Sequence, residues 1–297
     1  MPDARGGSEP SIRAASSRVE LRSASRFDVD ALTRIYNLAR VDYLVPMPMS
    51  PGKMRDYLYV YDIDLPRSCV AWDSALDRPL GLAMLGLRGE RAWITRVGVM
   101  PEARHAGAGG AMVSRLLDGA HGAGCRWVII EVIRENGPAR RLFGRHGFEP
   151  SRELLVTRRP PKPLDIVDHG AVIEVLGNRE ALALLERRSD QPSWATDTRS
   201  MARAGNLAAL RAEWPDGSRG WLVYASSAWT LSRIVIETEC GDPERVGRGL
   251  LQQLHWRYPL QDSVCENVSP HDPHWPAMQA LGYLVSFVRV EMLLRLR

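Results

Sequence analysis

Two segments of equal length, one in each half of the chain, constrain the fold more than any other feature. Glu131 to Phe148 and Glu266 to Tyr283 each run from a glutamate to a glycine–aromatic pair, with apolar stretches on both sides. Upstream, TRVGV is similar to SRIVI, and Gly107-Ala108-Gly109 is similar to Gly247-Arg248-Gly249. A repeat this long is typical of two copies of one domain fold. The alternative is a chance agreement of the glycine–aromatic pairs.

The length and composition suit a two-domain protein. The chain has 297 residues, of which 45% are hydrophobic, enough for two cores. The sequence RRPPKP at residues 158–163 cannot continue a helix or a central strand, so it predicts a linker at residues 160–164. The predicted domains are therefore residues 18–159 and 165–297. Residues 1–17 are small and polar, lack the apolar segment of a signal peptide, and are predicted to be disordered.

Charge and cysteine content exclude several classes of protein. The formal net charge is +4, and the arginines are spread along the chain rather than clustered as in a nucleic-acid-binding tail. The four cysteines form no C-x-x-C pair, which argues against a metal or redox site and favours a cytoplasmic protein with reduced thiols. No apolar run reaches the roughly 18 residues of a membrane span. We therefore expect no metal, no nucleic acid and no membrane as partners.

Apolar runs of strand length alternate with helical periodicity in both halves, which predicts an α/β fold with a mixed sheet. In the first half, we predict strands at Val19–Ser23, SCVAW, GLAMLGL, AWITRVGVM and WVIIEVI, and helices over Asp28–Arg40 and Gly110–Ala120. In the second half, we predict strands at Leu207–Trp214, Trp221–Ser226, Trp229–Glu237 and Asp262–Val268, and helices over Asn178–Arg188 and Gly249–Trp256.

A glycine-rich turn separates a predicted strand from a predicted helix in VGVMPEARHAGAGGAM, residues 97–112. It is not a Walker A loop, since no lysine or hydroxyl residue follows its last glycine. It is not a dinucleotide fingerprint, because Met112 stands where the third glycine belongs. The remaining interpretation is a cradle of backbone amides at a helix N-terminus, which binds a pyrophosphate. An ordinary turn is the alternative, although three glycines in four residues would be a costly choice for it.

The residues around this turn match one family. Arg104-x-x-Gly107-x-Gly109, preceded by Val97-x-Val99-x-Pro101, resembles the coenzyme A loop of the GNAT N-acetyltransferase superfamily. The following strand and helix of that family are resembled by Glu131-Val132, Asn136, Ala139, Leu142 and Gly147-Phe148. The resemblance implies two tandem GNAT-like acyl-CoA N-acyltransferase domains with splayed mixed sheets. It also implies acetyl-coenzyme A (acetyl-CoA) as co-substrate.

The resemblance further implies which residues contact coenzyme A. Backbone groups of the strand Val97, Gly98 and Val99 would pair with the pantetheine arm, and Asn136 would contact the pantetheine or the thioester. The pyrophosphate would be held by the turn formed by Arg104, His105, Ala106, Gly107, Ala108, Gly109 and Gly110.

The catalytic groups depart from the family pattern. N-acetyl transfer needs an acceptor for the proton of the amine and an acid for the leaving thiolate. Trp93 lies on the strand where many relatives carry a carboxylate, and Phe143 lies where many carry a tyrosine. Glu131 is the family-matched carboxylate; it either draws the proton through water or caps local structure.

The second copy departs further. When the two glycine pairs are matched, Glu244 stands where the first half has Arg104, and its charge would repel a pyrophosphate. We therefore expect a degenerate second domain with a structural or substrate-shaping role.

The acceptor pocket is predicted in the segment between the first two helices. Its side chains would suit a cationic amine with an apolar body, unless they pack in the core: Asp42, Tyr43, Met47, Met49, Tyr57 and Tyr61. Two function classes remain open. The first is a cytoplasmic N-acetyltransferase, monomeric or homodimeric, that acts on a small-molecule or peptide amine. The second is a non-catalytic acyl-CoA-binding or scaffold protein.

Overall fold

The computed structural model describes residues 19–104, 106–164 and 170–297. The predicted disorder of residues 1–17 lies outside these ranges, as does the predicted start of the second domain at residue 165. Within them the chain forms twelve β-strands and eight α-helices. The mixed α/β fold expected from the sequence is confirmed.

The strands alternate with the helices in the same order in both halves. The strands are β1 (Val19–Ser23), β2 (Cys69–Asp73), β3 (Arg78–Arg88), β4 (Arg91–Val99), β5 (Trp127–Ile133), β6 (Glu149–Arg159), β7 (Val172–Leu176), β8 (Leu207–Glu213), β9 (Arg219–Ser226), β10 (Thr230–Cys240), β11 (Asp262–Val268) and β12 (Leu284–Arg295). The helices are α1 (Val29–Ala39), α2 (Pro51–Val60), α3 (Ala108–Gly122), α4 (Gly137–Arg145), α5 (Asn178–Leu185), α6 (Thr198–Ala204), α7 (Pro243–Arg257) and α8 (Trp275–Ala280).

Local sequence signals set several helix boundaries. The Asp28 carboxylate accepts a hydrogen bond from the Ala31 amide at 2.7 Å and caps α1. Ser50 caps α2, where Pro51 occupies the first helical position, as its fixed φ favours. α7 begins at Pro243, well before the predicted Gly249.

All twelve strands of the described residues lie in one sheet, in the order β1-β2-β3-β4-β5-β12-β6-β11-β10-β9-β8-β7. From one edge the sheet runs from β1 to β5 and then to β12; from the other edge it runs from β7 to β11 and then to β6. Each half therefore supplies its last strand to the other half. β12 pairs with β5 of the first half, and β6 pairs with β11 of the second half. The two strands also pair with each other at the centre of the sheet. The predicted domains 18–159 and 165–297 are thus joined by a reciprocal strand exchange that the sequence pattern does not indicate.

The parallel pairs of the sheet open apart at one end. β4 and β5 pair only through Arg91–Ile94 and Trp127–Ile130. Past this point β4 carries a bulge at Arg96, whose φ of 54° lies in the left-handed region. In the second half β10 and β11 pair over two residues each, and Arg233, with a φ of 55°, marks the matching irregularity. Each half therefore has a splay between its two parallel strands.

Candidate functional site

The helix that follows β4 begins without a side-chain cap. Its N-cap residue Gly107 has a φ of 84°, which favours glycine, and no side chain hydrogen-bonds to the first amides of α3 from this position. Gly109 and Gly110 lie in the first turn, where a Cβ added to Gly109 would approach Leu142 to 3.4 Å. The start of α3 therefore presents uncapped amides and the positive end of the helix dipole to any ligand next to β4.

Arg104 holds the turn to the segment after α1. Both terminal nitrogens of Arg104 donate to the Asp42 carboxylate at 2.6 Å, and Nε donates to the Val99 carbonyl at 3.2 Å. The hydrogen bonds from Arg104 hold the pKa of Asp42 below its ordinary value. Ala106 is exposed, while His105 lies outside the described residues. The Arg104 side chain thus positions the turn through Asp42.

The residues predicted to contact pantetheine lie at the splay. Gly98 and Val99 pair with β3 along one edge of β4, and Val97 lines the space on the other side. Asn136 stands at the start of α4, where its Oδ1 accepts a hydrogen bond from the Ala139 amide at 3.1 Å. Asn136 also lines the same space, so the structure brings Val97 and Asn136 together.

A cavity of about 350 Å³ occupies the splay, and we name it the β4–β5 cavity. Its wall comes from both halves of the chain, because β12 lies next to β5 and β11 lies near the centre of the sheet. The lining includes Arg40, Tyr43, Met47, Tyr57, Tyr61, Trp93, Thr95, Arg96, Val97, Glu131, Asn136, Ala139, Phe143, Ala195, Val264, Glu266, Phe287 and Arg289.

Two glutamates and one arginine form a hydrogen-bonded cluster in this cavity. Arg289 donates to Glu266 at 2.9 Å, to the side-chain oxygen Oδ1 of Asn267 at 2.8 Å and to Glu131 at 3.5 Å. Asn267 in turn donates to Glu131 at 3.0 Å. The second carboxylate oxygen of Glu131, Oε1, is buried and has no hydrogen-bond partner among the described residues. The cluster joins the predicted catalytic residue of the first half to three residues of the second.

The surroundings shift the pKa values of the two carboxylates of the cluster in opposite directions. Burial raises the pKa of Glu131, although Arg289 and Asn267 oppose this effect. Burial would also raise the pKa of Glu266, but Arg289, Arg96 and Arg233 together hold it below its ordinary value. About half of the Glu266 side chain is accessible, because it faces the cavity, whereas that of Glu131 is buried. Glu266 is therefore the ionised carboxylate and Glu131 the one that titrates closer to neutral pH.

The two positions that depart from the family pattern are filled by aromatic packing. Trp93 is buried and stacks on Trp194 with ring centroids 5.8 Å apart. Phe143 is buried against Phe148. Of the phenols that line the cavity, Tyr57 shares a 2.6 Å hydrogen bond with Thr95 Oγ1, and burial raises its pKa to about 12. It therefore keeps its proton at neutral pH.

The predicted acceptor segment contributes to the cavity only in part. Tyr43, Met47, Tyr57 and Tyr61 line it. Asp42 does not, because its carboxylate is bound by Arg104. The prediction that this segment gives the cavity an acidic lining is therefore wrong. The acidic groups are Glu131 and Glu266 instead; Glu266 and Arg289 could not be recognised from the sequence because the strand exchange brings them to the site.

The second half does not repeat the open helix start. α7 and α3 have equal length, so Asp242, the N-cap residue of α7, corresponds to Gly107. The Asp242 carboxylate accepts a hydrogen bond from the Arg245 amide at 2.9 Å. The predicted match of Gly247 and Gly249 with Gly107 and Gly109 is wrong by five positions.

Those two glycines lie inside α7, where they serve packing. A Cβ at Gly247 would approach the His274 side chain to 3.0 Å, and one at Gly249 would approach Trp214 to 2.6 Å. Glu244, predicted to face a phosphate in place of Arg104, lies in the first turn of α7 and pairs with Arg248. A separate cavity of about 420 Å³ lies in the β10–β11 splay, bordered by Arg152, Arg188, Glu237, Glu266, His271 and His274 among others.

Comparison with known proteins identifies the family of the first half. Residues 32–148 match the model of the acetyltransferase (GNAT) family. Residues 32–148 therefore form a GNAT-family domain. The sequence has no match among the curated proteins.

Solved structures of GNAT proteins share the fold of the whole chain. A GCN5-related N-acetyltransferase from Sphaerobacter thermophilus has a TM-score of 0.68 at 17% identity, covering 94% of this chain and 96% of that one. A tandem GNAT protein from the clavulanic acid biosynthesis pathway has a TM-score of 0.64 at 15% identity, covering 94% and 98%. A GCN5-related N-acetyltransferase from Kribbella flavida has a TM-score of 0.56 at 17% identity, covering 94% and 71%. The predicted tandem GNAT architecture is confirmed at the level of the fold.

Two further properties concern the described residues only. They contain no group of three or more His, Cys, Asp or Glu side chains placed to hold a metal ion. None of their helices combines the length and the apolar character needed to cross a membrane.

Proposed function

We propose that this GNAT protein is an acetyl-CoA-dependent N-acetyltransferase that acts on a small-molecule or peptide amine. The observation that carries the proposal is the uncapped glycine start of α3 next to the β4–β5 splay. An uncapped helix end and a cavity containing titratable groups both lie next to β4.

The residues present fit coenzyme A. The amides at the start of α3 lack a side-chain cap, and the Cβ position of Gly107 has nothing within 4 Å, which leaves room for a pyrophosphate. Val97 and Asn136 line the space where the pantetheine arm would lie. When bound, acetyl-CoA supplies an acetyl thioester, whose carbonyl carbon is the electrophile.

The chain's own residues would move the protons. Glu131 would accept the proton of the amine, because its raised pKa brings it closer to the pH at which it must work. Tyr57 would donate a proton, since it lines the same cavity and remains protonated at neutral pH. Phe143, at the family's tyrosine position, has no proton to give.

The binding step is tested with Gly109→Val. The valine adds a branched side chain that would crowd Leu142 and Val99 and displace the amides proposed to hold the phosphates, so we expect the affinity for coenzyme A to fall at least about tenfold. Gly122→Val is the matched control: it adds the same side chain to the other end of α3, where an added Cβ meets nothing within 4 Å. Titration calorimetry that gives equal affinities for both variants and the parent would remove the basis of the proposed binding mode.

The catalytic step is tested by release of coenzyme A from acetyl-CoA in the presence of a panel of amines. We expect at least one amine to raise the rate above the hydrolysis measured without amine. The competing function is an acyl-CoA-binding protein without turnover, which the packing of Trp93 and Phe143 at the family's usual catalytic positions favours. Tight coenzyme A binding with no amine-dependent release would support that function instead.

A further inference from the structure

The β4–β5 cavity carries more positive than negative charge. Its lining contains three arginines, Arg40, Arg96 and Arg289, and two glutamates, Glu131 and Glu266. The excess is positive even when both carboxylates are ionised, and it increases when Glu131 is protonated. Such a lining disfavours a purely cationic acceptor and favours one that brings a negative charge.

The arginines differ in how fully the protein neutralises them. Arg289 donates hydrogen bonds to Glu266 and to the side-chain oxygen of Asn267. Arg96 has no carboxylate within 4.0 Å of its guanidinium in residues 19–104, 106–164 and 170–297. A buried or half-buried charge costs free energy unless it is paired. Arg96 and Arg40 are the two cavity arginines without a carboxylate within 4.0 Å among the described residues, and Arg96 is the one that lies on the splayed strand β4.

The surroundings of Arg96 hold its side chain in one place. Its Nη1 donates to the Tyr36 hydroxyl at 3.1 Å, and its guanidinium carbon lies 4.2 Å from the centroid of the Tyr57 ring. Its Nε is buried and has no hydrogen-bond partner among the described residues. The left-handed bulge at Arg96 sets the position of this side chain on β4. The guanidinium is therefore preorganised by aromatic contacts and retains donors for a ligand.

We propose, resting on the proposed function, that the acceptor is an amine that also carries a carboxylate, and that Arg96 binds this carboxylate. The planar guanidinium matches a carboxylate in a bidentate geometry that an ammonium or amide cannot reproduce. Glu266, ionised and facing the same cavity, provides the opposite charge for the ammonium form of the acceptor before it loses its proton. The two halves of the chain would thus recognise the two ends of one zwitterion.

The experiment compares sets of matched amines with acetyl-CoA as the fixed donor. Each set contains an ω-amino acid, its primary amide and the alkylamine of the same length, with chains long enough that the amine pKa is equal across the set. An aminoalkyl phosphate of the same length is included as a second anion. We expect the parent to prefer the carboxylate over its amide by about 10- to 100-fold in kcat/KM, the effect of one charged hydrogen-bonded contact.

The role of Arg96 is tested with Arg96→Gln and Arg96→Lys. Arg96→Gln should lower kcat/KM for the carboxylate by about 10- to 100-fold and change that for the amide little, while Arg96→Lys should restore part of the preference. Arg34→Gln removes an exposed charge of α1 and should leave the preference unchanged. Unchanged coenzyme A affinity in all three variants shows that the fold and the cofactor site are intact.

The outcomes separate the two proposals. No turnover with any amine overturns the proposed function and this inference with it. Turnover without a preference for the carboxylate, a preference for the phosphate, or a carboxylate preference that survives Arg96→Gln overturns this inference alone. A lower coenzyme A affinity in Arg96→Gln assigns the arginine to the cofactor and also overturns it.

Discussion

The starts of α3 and α7 occupy equivalent positions in the two halves and differ in one property. Gly107 offers no side chain to the first amides of α3, whereas the Asp242 carboxylate accepts a hydrogen bond from an amide of α7. At the start of α7, the Asp242 carboxylate already occupies the place that the anion of a ligand would take. The strand-turn-helix framework is the same in both halves, so the residue at the N-cap decides whether the first amides of the helix are free to bind a ligand.

The largest effect on coenzyme A affinity is expected when the N-cap residue of α3 is replaced by that of α7. Gly107→Asp places a carboxylate at the helix end, and two unit charges 4 Å apart repel by about 4 kcal/mol at an effective dielectric of 20. Even half of this repulsion would weaken coenzyme A binding about 30-fold, measured by calorimetry. Gly107→Asn is the control, because asparagine has the same size, tolerates the left-handed conformation and carries no charge. Equal losses in the two variants would show that shape rather than charge governs the site.

A second comparison concerns Glu131 and Glu266, which stand at matching positions of the repeat. The pKa of Glu131 is raised, so its protonated form stabilises the fold below its ordinary pKa of 4.5, and this advantage is lost as the pH rises through the folded value. Glu131→Gln should therefore gain stability relative to the parent as the pH rises from 4.5, by about 1.4 kcal/mol for each unit of pKa shift.

Glu266 should respond with the opposite sign. Its pKa is lowered, so the ionised form stabilises the fold at pH values above 4.5, and the effect is lost as the pH falls through the folded value. Glu266→Gln should lose stability relative to the parent as the pH rises toward 4.5. Denaturant unfolding of the parent and both variants across pH measures how the stability difference from the parent changes with pH. A change of the same sign in both variants would contradict the assignment of the two carboxylates.

The smallest effect is expected at the capped helix. Asp242→Ala removes the cap of α7 and should lower the free energy of unfolding by about 1 kcal/mol, within a range of about 0.5–2. Denaturant unfolding measures the change. The coenzyme A stoichiometry should stay at one site per chain in the parent and in the variant. Two equivalent sites in the parent would show that the second half binds the cofactor despite its cap.

The sequence predicted the parts of the site that depend on local chemistry. Val19–Ser23 forms a strand with the predicted bounds, and the glycine turn lies at the start of a helix. Asp242-Pro243 is an equally local signal, an N-cap followed by proline at the first helical position. Gly247 and Gly249 concealed this N-cap signal, because their spacing is that of Gly107 and Gly109, although they are required by packing inside α7.

The parts that could not be predicted depend on strand pairing. Glu131 faces Arg289 and Asn267 only because β12 pairs with β5, and no periodicity in β12 specifies which strand will be its neighbour. A local pattern predicts that a segment is a strand, while its neighbours follow from the packing of the whole sheet. Arg96 is part of a predicted strand, but whether a carboxylate lies within 4.0 Å of its guanidinium depends on the assembled cavity.

The exchange of β6 and β12 makes the two halves inseparable modules. If the first half were expressed alone, β5 would keep one neighbour, β4, and would expose on its other side an edge that invites pairing with other chains. Cutting the backbone at residues 160–164 would leave the pieces interlocked, since each holds a strand of the other. A half joined in this way cannot be combined with a foreign partner without losing part of the wall of its β4–β5 cavity. The second copy therefore persists as an architectural component whether or not it ever binds a ligand.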